Sequence, residues 1–157
     1  GLVAAIVLAS ILYGKADLSL ALNGALAGLV SITAGPDVAL PLQAIIIGAV
    51  GGVLCTLAIP LLDKLKIDDV VGAISVHLVA GIWGTLVVGI PGLGTLAADF
   101  VTQLIGVVAI AIFVVVASAI TWLILKGVIG LRPTEEEEMS GLDVSELGME
   151  AYPEFRN

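Results

Sequence analysis

Every charged residue before position 131 falls at a break between apolar runs: Lys15 and Asp17, Asp37, the group from Asp63 to Asp69, Asp99, and Lys126. The apolar runs between these breaks approach the roughly 20 residues that carry a helix across a bilayer. Only 13% of the 157 residues are charged, against 59% hydrophobic, whereas soluble domains carry about 25% charged residues. A transmembrane β-barrel would alternate apolar and polar residues over short strands, and no such alternation occurs. The pattern predicts an all-α membrane protein, a polytopic transmembrane helix bundle.

Five apolar segments are expected, at about 1–13, 18–34, 42–62, 70–90 and 99–126. They make up a transmembrane region over 1–130, followed by a tail over 131–157. The breaks carry turn chemistry, as in Gly35-Pro36-Asp37 and Pro91-Gly92. Lys15, Lys64, Lys66, Lys126 and Arg132 flank segment ends that alternate crossings bring to one side. The loops 35–41 and 91–98 hold no Lys or Arg. The positive-inside rule makes the basic side, and the tail with it, cytoplasmic. The first apolar run begins at Gly1 without a basic region or cleavage site, so the sequence is expected to open within a membrane helix.

More than half of the fourteen acids follow Leu131, including Glu135–Glu138. The net charge of −8 therefore belongs mainly to the tail, and it argues against nucleic-acid binding. Thr134 before the four glutamates reads as a capped helix start. Leu142, Val144, Leu147, Tyr152 and Phe155, interleaved with acids, suggest that the tail docks on a surface. Cys55 is the one cysteine, so no intrachain disulfide can form. It reads as a small packing residue. The stretches Gly24–Gly28 and Gly48–Gly52 hold small residues at helix-contact spacing. Pro60 is expected to kink or end the third segment.

The fourth segment, VVGAISVHLVAGIWGTLVVGI, contains His77, the sole histidine. Counted from Val70, it lies about 10 Å into the span at helical rise. An ionisable side chain at that depth is costly and marks a candidate functional site. Imidazole can accept, donate or pass a proton near neutral pH. The bland alternative is an interhelical packing hydrogen bond. On an α-helical wheel His77 shares a face with Ala73, Gly81 and Gly84, a groove of small residues around one ring. Asp68 and Asp69 precede the segment, with Asp69 the expected N-cap. No second His, Cys or Glu stands at metal-ligand spacing, and no nucleophile–base pair or phosphate loop is present. No cofactor, metal site or enzymatic activity is expected.

Three phrases carry a resemblance: LNGALAGLVSITAG, PLLDKLKIDDVVGAISVHLVAGIWGTLVVG and GLRPTEEEEMSGLDVSELGMEAYPEF. In this order and spacing the chain resembles the ammonium transporter family (Amt/MEP, related to Rh proteins). It matches the C-terminal part, from the end of the seventh helix to the cytoplasmic tail. The resemblance implies a homotrimer in the plasma membrane with a conduit through each protomer. Two pore histidines line that conduit, and His77 matches the second. Asp68, Asp69, Gly81 and Gly84 match the support of its helix. Ammonium, or ammonia after deprotonation, is the implied cargo, and a PII signalling protein at the cytoplasmic face is an implied partner. The first pore histidine and the outer binding site belong to family regions that precede Gly1, so the chain is expected not to conduct alone. Val70 stands where the family has Pro, Leu78 where Gly is common, Ala80 where Cys is common, Pro133 in place of Val and Leu147 in place of His. The alternatives are a membrane ammonium sensor or scaffold signalling through the tail, and an unrelated small-solute channel.

Overall fold

A computed structural model describes residues 1–38, 40–95 and 98–150. The described residues form helices joined by turns, and among them there is no strand. Two compact units divide the chain, Gly1–Ala111 and Ile112–Asn157.

The first unit begins with α1 (Leu2–Tyr13), which ends where Gly14 turns left-handed at φ 72°. Helix α2 (Leu18–Ile32) starts at Asp17, whose Oδ1 accepts the Leu20 N–H at 2.8 Å. Helix α3 (Pro41–Lys64) places Pro41 in its first turn, where the missing N–H costs nothing. The Gln43 side chain accepts the Leu40 N–H at 2.9 Å and donates to the Gly92 carbonyl at 3.0 Å. It thereby ties the start of α3 to a turn almost fifty residues away.

Pro60 does not end α3, which runs on to Lys64. Proline is tolerated in apolar helices because neighbouring groups re-satisfy the backbone it frees. The fourth segment also differs from expectation. Helix begins at Ile74 rather than Val70, first as a π-helix over Ile74–Val79 and then as α4 (Ala80–Val87).

Helix α2 packs against α1, α3 and α4, and α3 also packs against the π-helix. Small residues make these contacts. Ala5, Ala9, Ala21, Gly24, Ala27, Gly28, Gly48, Gly51 and Gly52 are all buried. A Cβ on Gly28 would lie 2.9 Å from Gly1 Cα, so the backbones meet where side chains would otherwise stand. Large side chains such as Val3, Ile11, Leu18 and Leu29 are exposed instead. A soluble core puts large apolar residues inside. This inverted order suits lipid, where close backbone packing rather than hydrophobicity drives helix association.

Helices α3 and α5 (Phe100–Val128) are long and apolar enough to cross a membrane, and α5 buries none of its residues. Helices α1 and α2 and the stretch Ile74–Val87 are apolar but shorter. In the second unit the end of α5 is followed by α6 (Glu135–Ser140) and α7 (Leu142–Leu147), which pack on each other. Thr134 caps α6. Its hydroxyl donates to Glu137 Oε2 at 2.8 Å, and the same carboxylate accepts the Thr134 N–H at 2.7 Å. Tyr152 and Phe155 lie outside the described residues.

Candidate functional site: an imidazole on a π-helical turn

The turn before the π-helix is built by Asp69 and Gly72. Gly72 adopts φ 77° and donates its N–H to the Asp69 carbonyl at 3.0 Å. A Cβ there would also lie 2.9 Å from Asn23 Oδ1 on α2. Both the dihedral and the space call for glycine. The Asp69 carboxylate then reaches across the turn. Oδ1 accepts the Ile74 N–H at 2.9 Å, and Oδ2 accepts the Ser75 N–H at 3.0 Å and the Ser75 hydroxyl at 2.9 Å. Asp69 thus acts as a cap, but from five and six residues upstream rather than from the adjacent N-cap position, which Ala73 occupies. Asp68 is exposed and takes no part. Desolvation works to raise the Asp69 pKa. The hydrogen bonds from Ile74, Ser75 and the Ala73 backbone outweigh it and hold the carboxyl below its ordinary value.

The far end is tied down as well. Trp83 Nε1–H donates to the Ile47 carbonyl on α3 at 3.0 Å. Ser31 Oγ lies 2.7 Å from the Ala27 carbonyl and 3.4 Å from that of Ala80. A Cβ on Gly84 would lie 2.9 Å from Ser31 Cα. Between these anchors Ser75 and Val76 point inward. Val76 joins Ala27, Cys55 and Ala80 in a buried cluster, flanked by Val30 and Ile59.

His77 and Leu78 point the other way and are exposed. Among the described residues nothing hydrogen-bonds the imidazole. The interhelical packing bond therefore does not form among the described residues, and these residues alone do not enclose the ring in a conduit. Nor do the four wheel positions share one face. Ala73 is exposed with His77, Gly81 is half-buried near Val30, and Gly84 is buried against Ser31. The reason is the π-helix. Its i→i+5 pattern turns less per residue than an α-helix, so a wheel drawn at 3.6 residues per turn loses register between His77 and Gly84. Trp83, Ser31 and Asn23 were not singled out from the sequence. A Trp or Ser in an apolar run was the available signal, because each needs a hydrogen-bond partner there.

Comparison with known proteins decides the family. The family model described as Ammonium Transporter Family matches residues 1–152. The chain belongs to the ammonium transporter family. The ammonium transporter Amt1 of Haloferax mediterranei is 41% identical over 99% of this chain and 30% of its own length. The ammonium transporter Amt2 of Archaeoglobus fulgidus is 38% identical over 99% of this chain and 37% of its own length. A solved structure described as a sensor Amt protein superposes with a TM-score of 0.83 at 33% identity, covering 92% of this chain and 38% of that one. The chain spans about a third of the length of the curated relatives it matches. Family membership makes this a membrane protein, and the Asp69–His77 stretch lies inside the matched region.

Proposed function

We propose that this chain supplies one wall of a path for ammonium or ammonia, with His77 as its pore-facing imidazole. The observation that carries this reading is the exposure of His77 on a fixed turn within an apolar, membrane-type segment. Facing lipid, an unpartnered imidazole at that depth would be costly. Facing a cavity or a second protein wall, it is a functional group. An apolar path disfavours charged ammonium far more than neutral ammonia. A neutral imidazole can both donate to and accept from a small amine, which suits passage after the ammonium proton is shed. Asp69, Gly81 and Gly84 support the helix that presents the ring, and Asp68 lies beside them at the basic end. On this reading the assembly is a homotrimer in the plasma membrane, with residues 131–157 cytoplasmic and open to a PII-type signalling partner.

The wall is one-sided, so these residues by themselves do not conduct. Proteoliposomes holding only the 157-residue chain should show no ammonium-specific flux, and specific flux would overturn this part of the reading. In its native polypeptide context, His77→Ala should change the rate or selectivity of methylammonium uptake by about tenfold. That factor corresponds to one lost hydrogen bond of about 1.5 kcal/mol. Unchanged uptake would remove His77 from the path. A second reading is favoured by the solved sensor Amt structure: the bundle binds ammonium and signals through the tail. It predicts that deleting residues 131–157 abolishes an ammonium-dependent response while His77→Ala leaves uptake unaltered.

A further inference from the structure

From Gly72 to Gly84 the exposed residues are Ala73, His77 and Leu78. Their neighbours are held inward. Ser75 bonds the Asp69 carboxylate, Val76 and Ala80 join Ala27 and Cys55 in the buried cluster, and Trp83 reaches the Ile47 carbonyl. The i→i+5 turn leaves two consecutive side chains, those of His77 and Leu78, outward between the buried Val76 and Ala80, with Val79 half-buried. Leu78 is 53% exposed and lies outside the buried cluster. Ala73 on one side of the ring is small, and the half-buried Gly81 on the other adds no side chain. Leu78 is therefore the one large apolar side chain that shares the exposed strip with the imidazole.

We infer that Leu78 sets the clearance of the path at the imidazole and so makes it selective for ammonia over methylated amines. This rests on the reading of His77 as the pore-facing group. Any wall that closes over the ring must also meet Leu78, because both side chains leave the bundle from the same strip. Glycine or alanine at this position would leave an open groove beside the ring. The isobutyl group fills that groove with atoms that neither donate nor accept hydrogen bonds. Ammonia meets the ring through its N–H groups and lone pair and needs no further room. Methylamine brings one methyl group more, and that bulk falls on Leu78. Forcing extra volume into a close-fitting site is costly, and one methylene there changes preference by about 10–200-fold. Because Leu78 takes no part in the buried cluster, shortening it changes the clearance and leaves the bundle contacts in place.

The test compares uptake of isotope-labelled ammonium and of labelled methylammonium, side by side, in the native polypeptide context. The methylammonium-to-ammonium ratio should rise in Leu78→Ala. In Leu78→Gly it should rise by about tenfold, the lower end of what one methylene is worth. Leu78→Met keeps the volume and should hold the parent ratio within about twofold. If the two small variants do not fold, Leu78→Val decides the matter, with a rise in the same direction by less. A change in both fluxes at constant ratio would mean that Leu78 serves only folding or lipid contact, and it would overturn the inference. So would a ratio that falls as the side chain shortens. His77→Ala, run in the same assay, separates the two readings. Where it alters uptake and the Leu78 series leaves the ratio fixed, this inference alone fails. Where it leaves uptake unaltered, the reading of the ring fails and this inference falls with it.

Discussion

At the scale of single residues, the glycines and one aspartate carry the most consequence. Gly28 and Gly84 each stand where a Cβ would press on neighbouring backbone, which cannot move aside as a flexible side chain can. Gly28→Leu and Gly84→Leu should each destabilise the bundle by about 1–3 kcal/mol or more, the cost of overpacking. Thermal unfolding in detergent, followed by Trp fluorescence, measures this. Gly106→Ala is the matched control. Its Cβ meets nothing within 4 Å, so the melting temperature should hold or rise. Asp69 makes a pH prediction whose sign follows from its lowered pKa. A carboxylate held below its ordinary value contributes stability in full above that ordinary value and loses it as pH falls through the lowered one. The Ile74 and Ser75 amide shifts should be flat from neutral pH down to about 4 and move only below it. Movement beginning near pH 6 would contradict the hydrogen-bond set described for this carboxylate.

At the scale of elements, the fourth segment shows how a sequence pattern can be right in kind and displaced in detail. Its composition announced an apolar helix with one ionisable group, and that group lies on a helix. Its start moved from Val70 to Ile74 because Gly72 takes a left-handed turn that no α-helix contains. Its face moved because the π pattern is set by anchors on α2 and α3, far away in sequence. Trp83→Phe tests the C-terminal anchor. It removes one hydrogen bond and leaves the Ile47 carbonyl without its side-chain donor, so a loss of about 1–2 kcal/mol in unfolding free energy is expected. The tail offers a simpler case. Thr134 and the glutamate three residues on form a capping box readable from sequence alone. The Glu137 carboxyl is held below its ordinary value by hydrogen bonds from the Thr134 backbone and hydroxyl. Thr134→Ala should speed amide exchange across Glu137 and Glu138 roughly fivefold, with no change in the bundle.

At the scale of the whole molecule, the inverted distribution of side chains matters most. Glycine and alanine fill the contacts and leucine, isoleucine and valine face outward, an arrangement that water would not sustain over this area. The proposed orientation rests on basic residues at alternate segment ends, and it is open to direct measurement. Ser140→Cys in inside-out vesicles should react with a membrane-impermeant maleimide, and in right-side-out vesicles it should not. Cys55 is buried and adds little background. Labelling from the outside would reverse the topology.

The sequence alone was enough for the class of fold and for the family. Each of these follows from composition, spacing or order, which survive without knowledge of distant neighbours. The tertiary structure decided where the imidazole points, which of the paired aspartates holds the turn, and that Pro60 does not end its helix. Those outcomes depend on contacts between positions such as 23 and 72, 31 and 84, or 47 and 83. Two ends pinned by different helices can force a π turn that no local propensity favours.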